Sequence, residues 1–139
     1  MKKLFTAALA AAALICPFPK ITAKAQEPAY IYTIIGSEAT VIGFSGEPSY
    51  IQIPETIEGC PVTEIRDNAF CECSSLKQVS LPDTLTKIGH HCFYACTSLE
   101  SVVIPESVTQ IGDGCFCGCT SLTAVSLPDS LSSLLRSCF

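Results

Sequence analysis

Positive charge is in short supply in this sequence: eight Lys and Arg stand against thirteen Asp and Glu. Four of the eight lie near the N-terminus, where Lys2 and Lys3 precede an apolar run from Leu4 to Cys16 and Ala23-Lys24-Ala25 offers a small-x-small cleavage site. That run falls short of the roughly 20 residues needed to span a bilayer, and the arrangement is that of a secretory signal peptide, residues 1–25. A lipoprotein leader ending at Cys16 is the rival reading, but Ile15 stands where such a leader wants a small residue. Cleavage after Ala25 leaves Arg66, Lys77, Lys87 and Arg136 against thirteen acids, a net −9. A chain so poor in Lys and Arg cannot neutralise phosphate, which argues against nucleic acid and anionic membrane as partners.

Other absences narrow the chemistry. Asn68 is the sole asparagine and lacks the Ser or Thr two residues on that N-glycosylation needs. No nucleophile elbow, HExxH, P-loop or dinucleotide fingerprint occurs, so no catalytic residue, metal ligand or cofactor site is assigned. The only histidines, His90 and His91, stand in repeat register with Asp67-Asn68 and Asp113-Gly114. A position that takes all of these residue types reads as a solvated turn.

What the sequence does have is a period. Ile65, Ile88, Ile111 and Leu134 recur every 23 residues, as do Phe70, Phe93, Phe116 and Phe139, then Cys73, Cys96 and Cys119, then Pro82, Pro105 and Pro128. A fixed period of this size marks a stack of supersecondary units, each completed by its neighbours. The expected fold is a β-rich α/β solenoid with short parallel strands on one face and single helical turns and loops on the other. Its units are 65–87, 88–110 and 111–133, preceded by an irregular 50–64 and followed by a partial 134–139. Residues 26–49 read as an N-terminal β-hairpin cap, because the runs Tyr30–Ile35 and Ala39–Phe44 flank the turn residues Gly36-Ser37-Glu38.

Within each unit the pattern Leu76-x-x-Val79-x-Leu81 predicts a strand of period two that stops at a proline. Thr84, Ser107 and Ser130 then fall in one column with Thr56, where their hydroxyls can bond the backbone of the next coil. The surplus around Glu58 to Val62 is a turn-rich insertion. Segments such as Asp113 to Cys119 are too short for an average helix and predict one turn of helix or 3₁₀.

Nine cysteines follow the leader, an odd number. They form columns: Cys73, Cys96 and Cys119; Cys92, Cys115 and Cys138 with Ala69; Cys71 and Cys117 with Tyr94 between. Stacked equivalents sit about 4.8 Å apart, wider than the roughly 3.5–4.5 Å between Cβ atoms that a disulfide wants. Most are therefore expected to remain thiols and to pack as small hydrophobes, with Cys60 in the insertion the most exposed.

The string Ile-Gly-x-x-x-Phe-x-x-Cys-x-Ser-Leu-x-x-Val-x-Leu/Ile-Pro-x-Ser/Thr-Leu/Val, carried from Tyr50 to the C-terminus, resembles the BspA-like leucine-rich repeats of bacterial surface proteins. The resemblance implies a curved solenoid, no cofactor, and adhesion or protein binding at the cell surface. Arg66 and Leu135 depart from the pattern where Gly89 and Gly112 keep it.

Tyr50, Gln52, Gln78, Ser80, Ser101, Val103, Ala124 and Ser126 alternate with inward residues and form the candidate interaction face. The expected function is that of an exported, non-enzymatic binding module, secreted or at the cell surface, engaging a host-surface or matrix protein or a glycan. Two alternatives stand beside it: a fragment of a longer adhesin, and a thiol- or metal-binding protein. Leu134, Leu135 and Phe139 would leave an apolar end through which copies could associate end to end.

Overall fold

The computed structural model describes residues 3–7, 29–134 and 138, and in it the sequence period becomes a spatial one. Phe70 and Phe93 stack with ring centroids 5.3 Å apart and planes 5° from parallel, and Phe93 and Phe116 at 5.5 Å and 2°. Residues one period apart therefore lie one above another, each coil repeating the backbone path of the last.

The chain begins with β1 (Lys3–Ala7), β2 (Ala29–Ile35) and β3 (Glu38–Ser45). The β2–β3 hairpin turns at Gly36-Ser37 and caps the stack. β3 joins β6 (Cys60–Ile65) in parallel, and Phe44 lies 5.2 Å from Phe70, extending the aromatic column by one ring. Of the expected leader, only Lys3–Ala7 is among the described residues; its backbone pairs antiparallel with β2. The remainder of 1–25, together with Leu135 and Phe139, lies outside them.

Each coil contributes to two parallel ladders rather than to one. The first consists of β4 (Tyr50–Gln52), β7 (Gln78–Ser80), β9 (Ser101–Val103) and β11 (Ala124–Ser126). The second runs from the cap through β6 to β8 (Lys87–Ile88), β10 (Gln110–Ile111) and β12 (Ser133–Leu134). The expectation of strands on one face alone is thus corrected. The second ladder is only two residues wide per coil, too short for an alternating pattern to announce it. The insertion forms β5 (Thr56–Ile57), which pairs antiparallel with the start of β6 across a tight turn whose Glu58 and Gly59 both have positive φ.

No helical turn occurs among the described residues; the third wall is a run of tight turns. In the first regular unit Ala69, Cys71 and Cys73 donate N–H to the carbonyls of Arg66, Asn68 and Phe70, three residues back. The turns cannot merge into a helix, for two reasons. Asn68 and Glu72 take left-handed φ of 61° and 62°, as do His91 and Ala95 (52° and 56°) and Gly114 and Gly118 (62° and 79°) in the next two units. In addition, the N–H groups of Asn68, Phe70 and Glu72 are committed to the carbonyls of His90, Cys92 and Tyr94 in the next coil, at 2.9, 2.9 and 2.7 Å.

Glycine is required where coils approach most closely. A Cβ on Gly89 would come within 2.4 Å of the Asp67 backbone nitrogen, and one on Gly112 within 2.4 Å of that of His90. Arg66 is tolerated in the same column because the layer beneath it is the cap strand β3, to whose Val41 carbonyl it donates its N–H at 2.8 Å.

The core lies between the three walls. Ile65, Leu76, Leu85, Ile88, Leu99 and Val108 are fully buried around the Phe column. Burial of such a side chain is worth about 1.5–3 kcal/mol, yet one coil alone cannot offset its conformational entropy. The shared interfaces between coils hold the stack together.

Candidate functional site

The outer face of the first ladder is built by the register of its strands. Tyr50 pairs with Gln78, Gln78 with Ser101, and Ser101 with Ala124, which makes one column. Gln52 pairs with Ser80 and Val103 with Ser126, in the column two residues on. Because strand side chains alternate, the intervening Ile51, Val79 and Val102 point into the core and are buried, while the eight candidate residues point away. Tyr50 is 50% exposed and Val103 67%; Gln52, Gln78, Ala124 and Ser126 are exposed, and Ser80 and Ser101 half-buried. The structure brings all eight onto a single surface with no formal charge.

A rim of carboxylates borders this surface. Glu55, Asp83, Glu106 and Asp129, one per coil, follow the prolines that end the strands, and all four are exposed. The signal was present as an acid recurring immediately after each Pro of the repeat. At the opposite rim Lys77 and Glu100 occupy successive coils.

Hydroxyls line the turn below the acidic rim. Thr84 donates to the carbonyls of Glu55 (3.2 Å) and Val62 (2.8 Å), and Ser130 to those of Glu106 (2.6 Å) and Val108 (3.0 Å). These bonds reach back to the preceding coil, not on to the next, which corrects the expected direction. The Ser107 hydroxyl, in the same column, is buried and has no hydrogen-bond partner among the described residues.

The cysteines sit in register as expected, and the structure shows what the sulfur contributes. Cys96 donates S–H to the Phe70 carbonyl at 3.2 Å, Cys119 to Phe93 at 3.1 Å, and Cys138 to Gly112 at 3.4 Å. A thiol is thus both a small apolar filler and a weak donor to the coil before it. Cys92, Cys96, Cys115 and Cys138 are buried; Cys60 is half-buried, as are Cys71, Cys73, Cys117 and Cys119, so exposure does not single Cys60 out. Burial, followed by the contact with Cys115, pushes the Cys92 thiol well above its ordinary range. At Cys96 a bond from Cys119 acts downward, but Cys73 and burial outweigh it and the thiol is raised to about 12. Cys73 moves the other way, lowered chiefly by its hydrogen bond with Cys96.

The histidines are exposed turn residues. His90 Nδ1 accepts the Asp113 N–H at 3.0 Å, just as Asp67 Oδ1 accepts that of His90 at 2.8 Å, so the imidazole stands in for a carboxylate in a column of turn acceptors. His91 meets Tyr94 edge-on at 5.6 Å. Among the described residues no three His, Cys, Asp or Glu side chains are placed to hold a metal ion.

Comparison with known proteins agrees with this architecture. The BspA type leucine rich repeat region matches residues 45–139 in six copies. A leucine-rich repeat protein from Bacteroides capillosus ATCC 29799 is similar at 26% identity with a TM-score of 0.52, over 70% of this chain and 92% of that one. A T. pallidum leucine rich repeat protein is 25% identical with a TM-score of 0.42, over 71% of this chain and 69% of the other. A leucine rich cell surface protein from Faecalibacterium prausnitzii A2-165 is 25% identical with a TM-score of 0.41, over 84% of this chain and 45% of its own. No curated protein matches the chain. With a repeat region that covers well over half of its length and coils stacked at the repeat period, the chain belongs to the BspA type leucine rich repeat family.

Proposed function

We propose that this chain is an exported binding module that engages a protein or glycan through the outer face of the β4–β7–β9–β11 ladder and carries out no chemistry there. The observation that carries the reading is the composition of that face: eight aligned, uncharged side chains with Tyr50 and Val103 as the large exposed groups. Shape-complementary contact with an uncharged, partly apolar surface gains from desolvation, and Tyr is among the residues enriched at energetic centres of interfaces. The acidic rim at Glu55, Asp83, Glu106 and Asp129 favours a partner with basic groups at its margin and speeds its encounter at low salt.

Export rests on the leader-like N-terminus, and a surface or secreted location follows from it. The reading is tested by binding purified chain to a panel of immobilised extracellular-matrix proteins and glycans. Val103→Glu is expected to weaken any specific binding at least tenfold, while Gln110→Glu, on the second ladder, leaves it unchanged. Equal binding by both variants overturns the assignment of this face.

A further inference from the structure

The sheet that runs from the cap down the second ladder has β1 at its head-end edge, and β1 belongs to the leader. Its five residues, Lys3 to Ala7, pair antiparallel with Ile34 to Tyr30. Cleavage after Ala25 removes that strand and makes β2 the edge. The edge so bared is unlike the other strand-ladder ends. β4 and β11, which end the first ladder, are three residues long and β12 is two, whereas β2 has seven. Its sequence, Ala29-Tyr30-Ile31-Tyr32-Thr33-Ile34-Ile35, contains no charge, proline or glycine. Edges are ordinarily kept from pairing by shortness, by charge or by proline. β2 has none of these protections and is rich in β-branched and aromatic residues, which favour pairing.

We infer that the bared β2 edge pairs with β2 of a second copy, antiparallel, in a two-fold dimer centred on Thr33. One group sets the centre. Thr33 is 4% exposed, and its hydroxyl is buried with no hydrogen-bond partner among the described residues. A buried hydroxyl left unbonded is costly. The leader does not relieve it, because β1 sets Leu4 opposite Thr33, and leucine carries neither donor nor acceptor in its side chain. A two-fold axis at Thr33 sets the residue opposite its own copy, where one hydroxyl can donate to the other. The same register sets Tyr32 opposite Ile34 and Ile31 opposite Ile35, so that Ile35, 52% exposed in the single chain, gains an apolar partner. Two-fold symmetry requires the same patch on both copies and hence antiparallel strands, the sense in which this edge already holds β1. The leader therefore keeps the precursor monomeric, and its removal opens the seat.

The inference rests on the export reading only for the agent that removes the leader, and the two are tested apart. N-terminal sequencing of the chain recovered outside the cell tests the reading, which falls if Lys3–Ala7 is retained. The edge is tested on the full chain with a protease site engineered after Ala25. It is sized by light scattering in reductant, over a concentration series, before cleavage and again after cleavage and removal of the released peptide. The expected result is a monomer before and a dimer after, with slow amide exchange across Tyr30–Ile35 in the dimer. Thr33→Lys and Thr33→Glu should each stay monomeric after cleavage, and an equimolar mixture of the two should recover the dimer, because the register sets lysine against glutamate. Thr33→Val should weaken association by up to about fivefold. Circular dichroism confirms the fold of each variant, and Ile35→Lys, at an exposed position, weakens the dimer in their place should the Thr33 variants unfold. A cleaved chain that stays monomeric throughout the series, a dimer already present before cleavage, or full dimerisation by the Lys and Glu variants singly would overturn it. So would a dimer abolished by Leu127→Glu but not by Thr33→Lys, which would assign the contact to the tail.

Discussion

The two ends of the stack carry the same kinds of residue in the same columns and bury them to different degrees. At the head, Ile51 and Ile53 are 0% and 3% exposed, because the hairpin lies over that end of the core. Tyr30 donates its hydroxyl to the Gln52 carbonyl at 2.5 Å, and Tyr32 donates to Glu58 at 3.0 Å, fastening the hairpin down. At the tail, Val125 is half-buried and Leu127, the counterpart of Ile53, is 40% exposed. Side-chain type is matched, so the difference comes from the neighbour. In this architecture a position is made core by the layer above and below it, and the stabilising value of a residue depends on its place in the stack.

The largest expected effect breaks that symmetry directly. Leu99→Ala, inside the stack, should cost about 2–5 kcal/mol, whereas Leu122→Ala, one coil further on and only half-buried, should cost less than half as much. Urea denaturation of both variants measures it, and equal losses would show that the tail is covered in solution. A smaller effect tests whether polar bonds follow the same gradient. Thr84→Ala and Ser130→Ala each remove a hydroxyl with two carbonyl partners, and each should cost about 1 kcal/mol, head and tail alike. Ser107→Ala should be close to neutral, because that hydroxyl has no partner to lose. A last pair of substitutions has effects of opposite sign. Ala95→Gly relieves a left-handed residue and should raise stability by about 0.5–1 kcal/mol, while Gly118→Ala, at the equivalent place near the tail, should lower it by a similar amount.

Much of the fold was written in the period. The Phe column, the hairpin, the strands ending at Pro82, Pro105 and Pro128, and the outward eight-residue face all follow from alternation and from the 23-residue step. The turn wall did not, because left-handed φ falls on Glu72 and Ala95, residue types that do not favour it, and on Asn68 and His91, which favour it only weakly. Gly114 and Gly118, at the same two places in the third unit, gave the stronger signal. The direction of the hydroxyl bonds was also hidden, since a column fixes which coils touch but not which one donates. Arg66 looked like a flaw in the repeat until the cap strand was seen beneath it.

Along the turn wall the backbone-to-backbone bonds between one turn and the next run in one sense. Asn68, Phe70 and Glu72, then His91, Phe93 and Ala95, then Phe116 all donate toward the tail, and the acceptors all lie one coil further on. Strand ladders alternate their amides and cancel, but this wall sums its peptide dipoles as a helix does. The solenoid is therefore electrically polar along its length, with amide hydrogens facing one terminus and carbonyl oxygens the other. A coil stacked in reverse would set donor against donor, so growth of the array has a fixed direction.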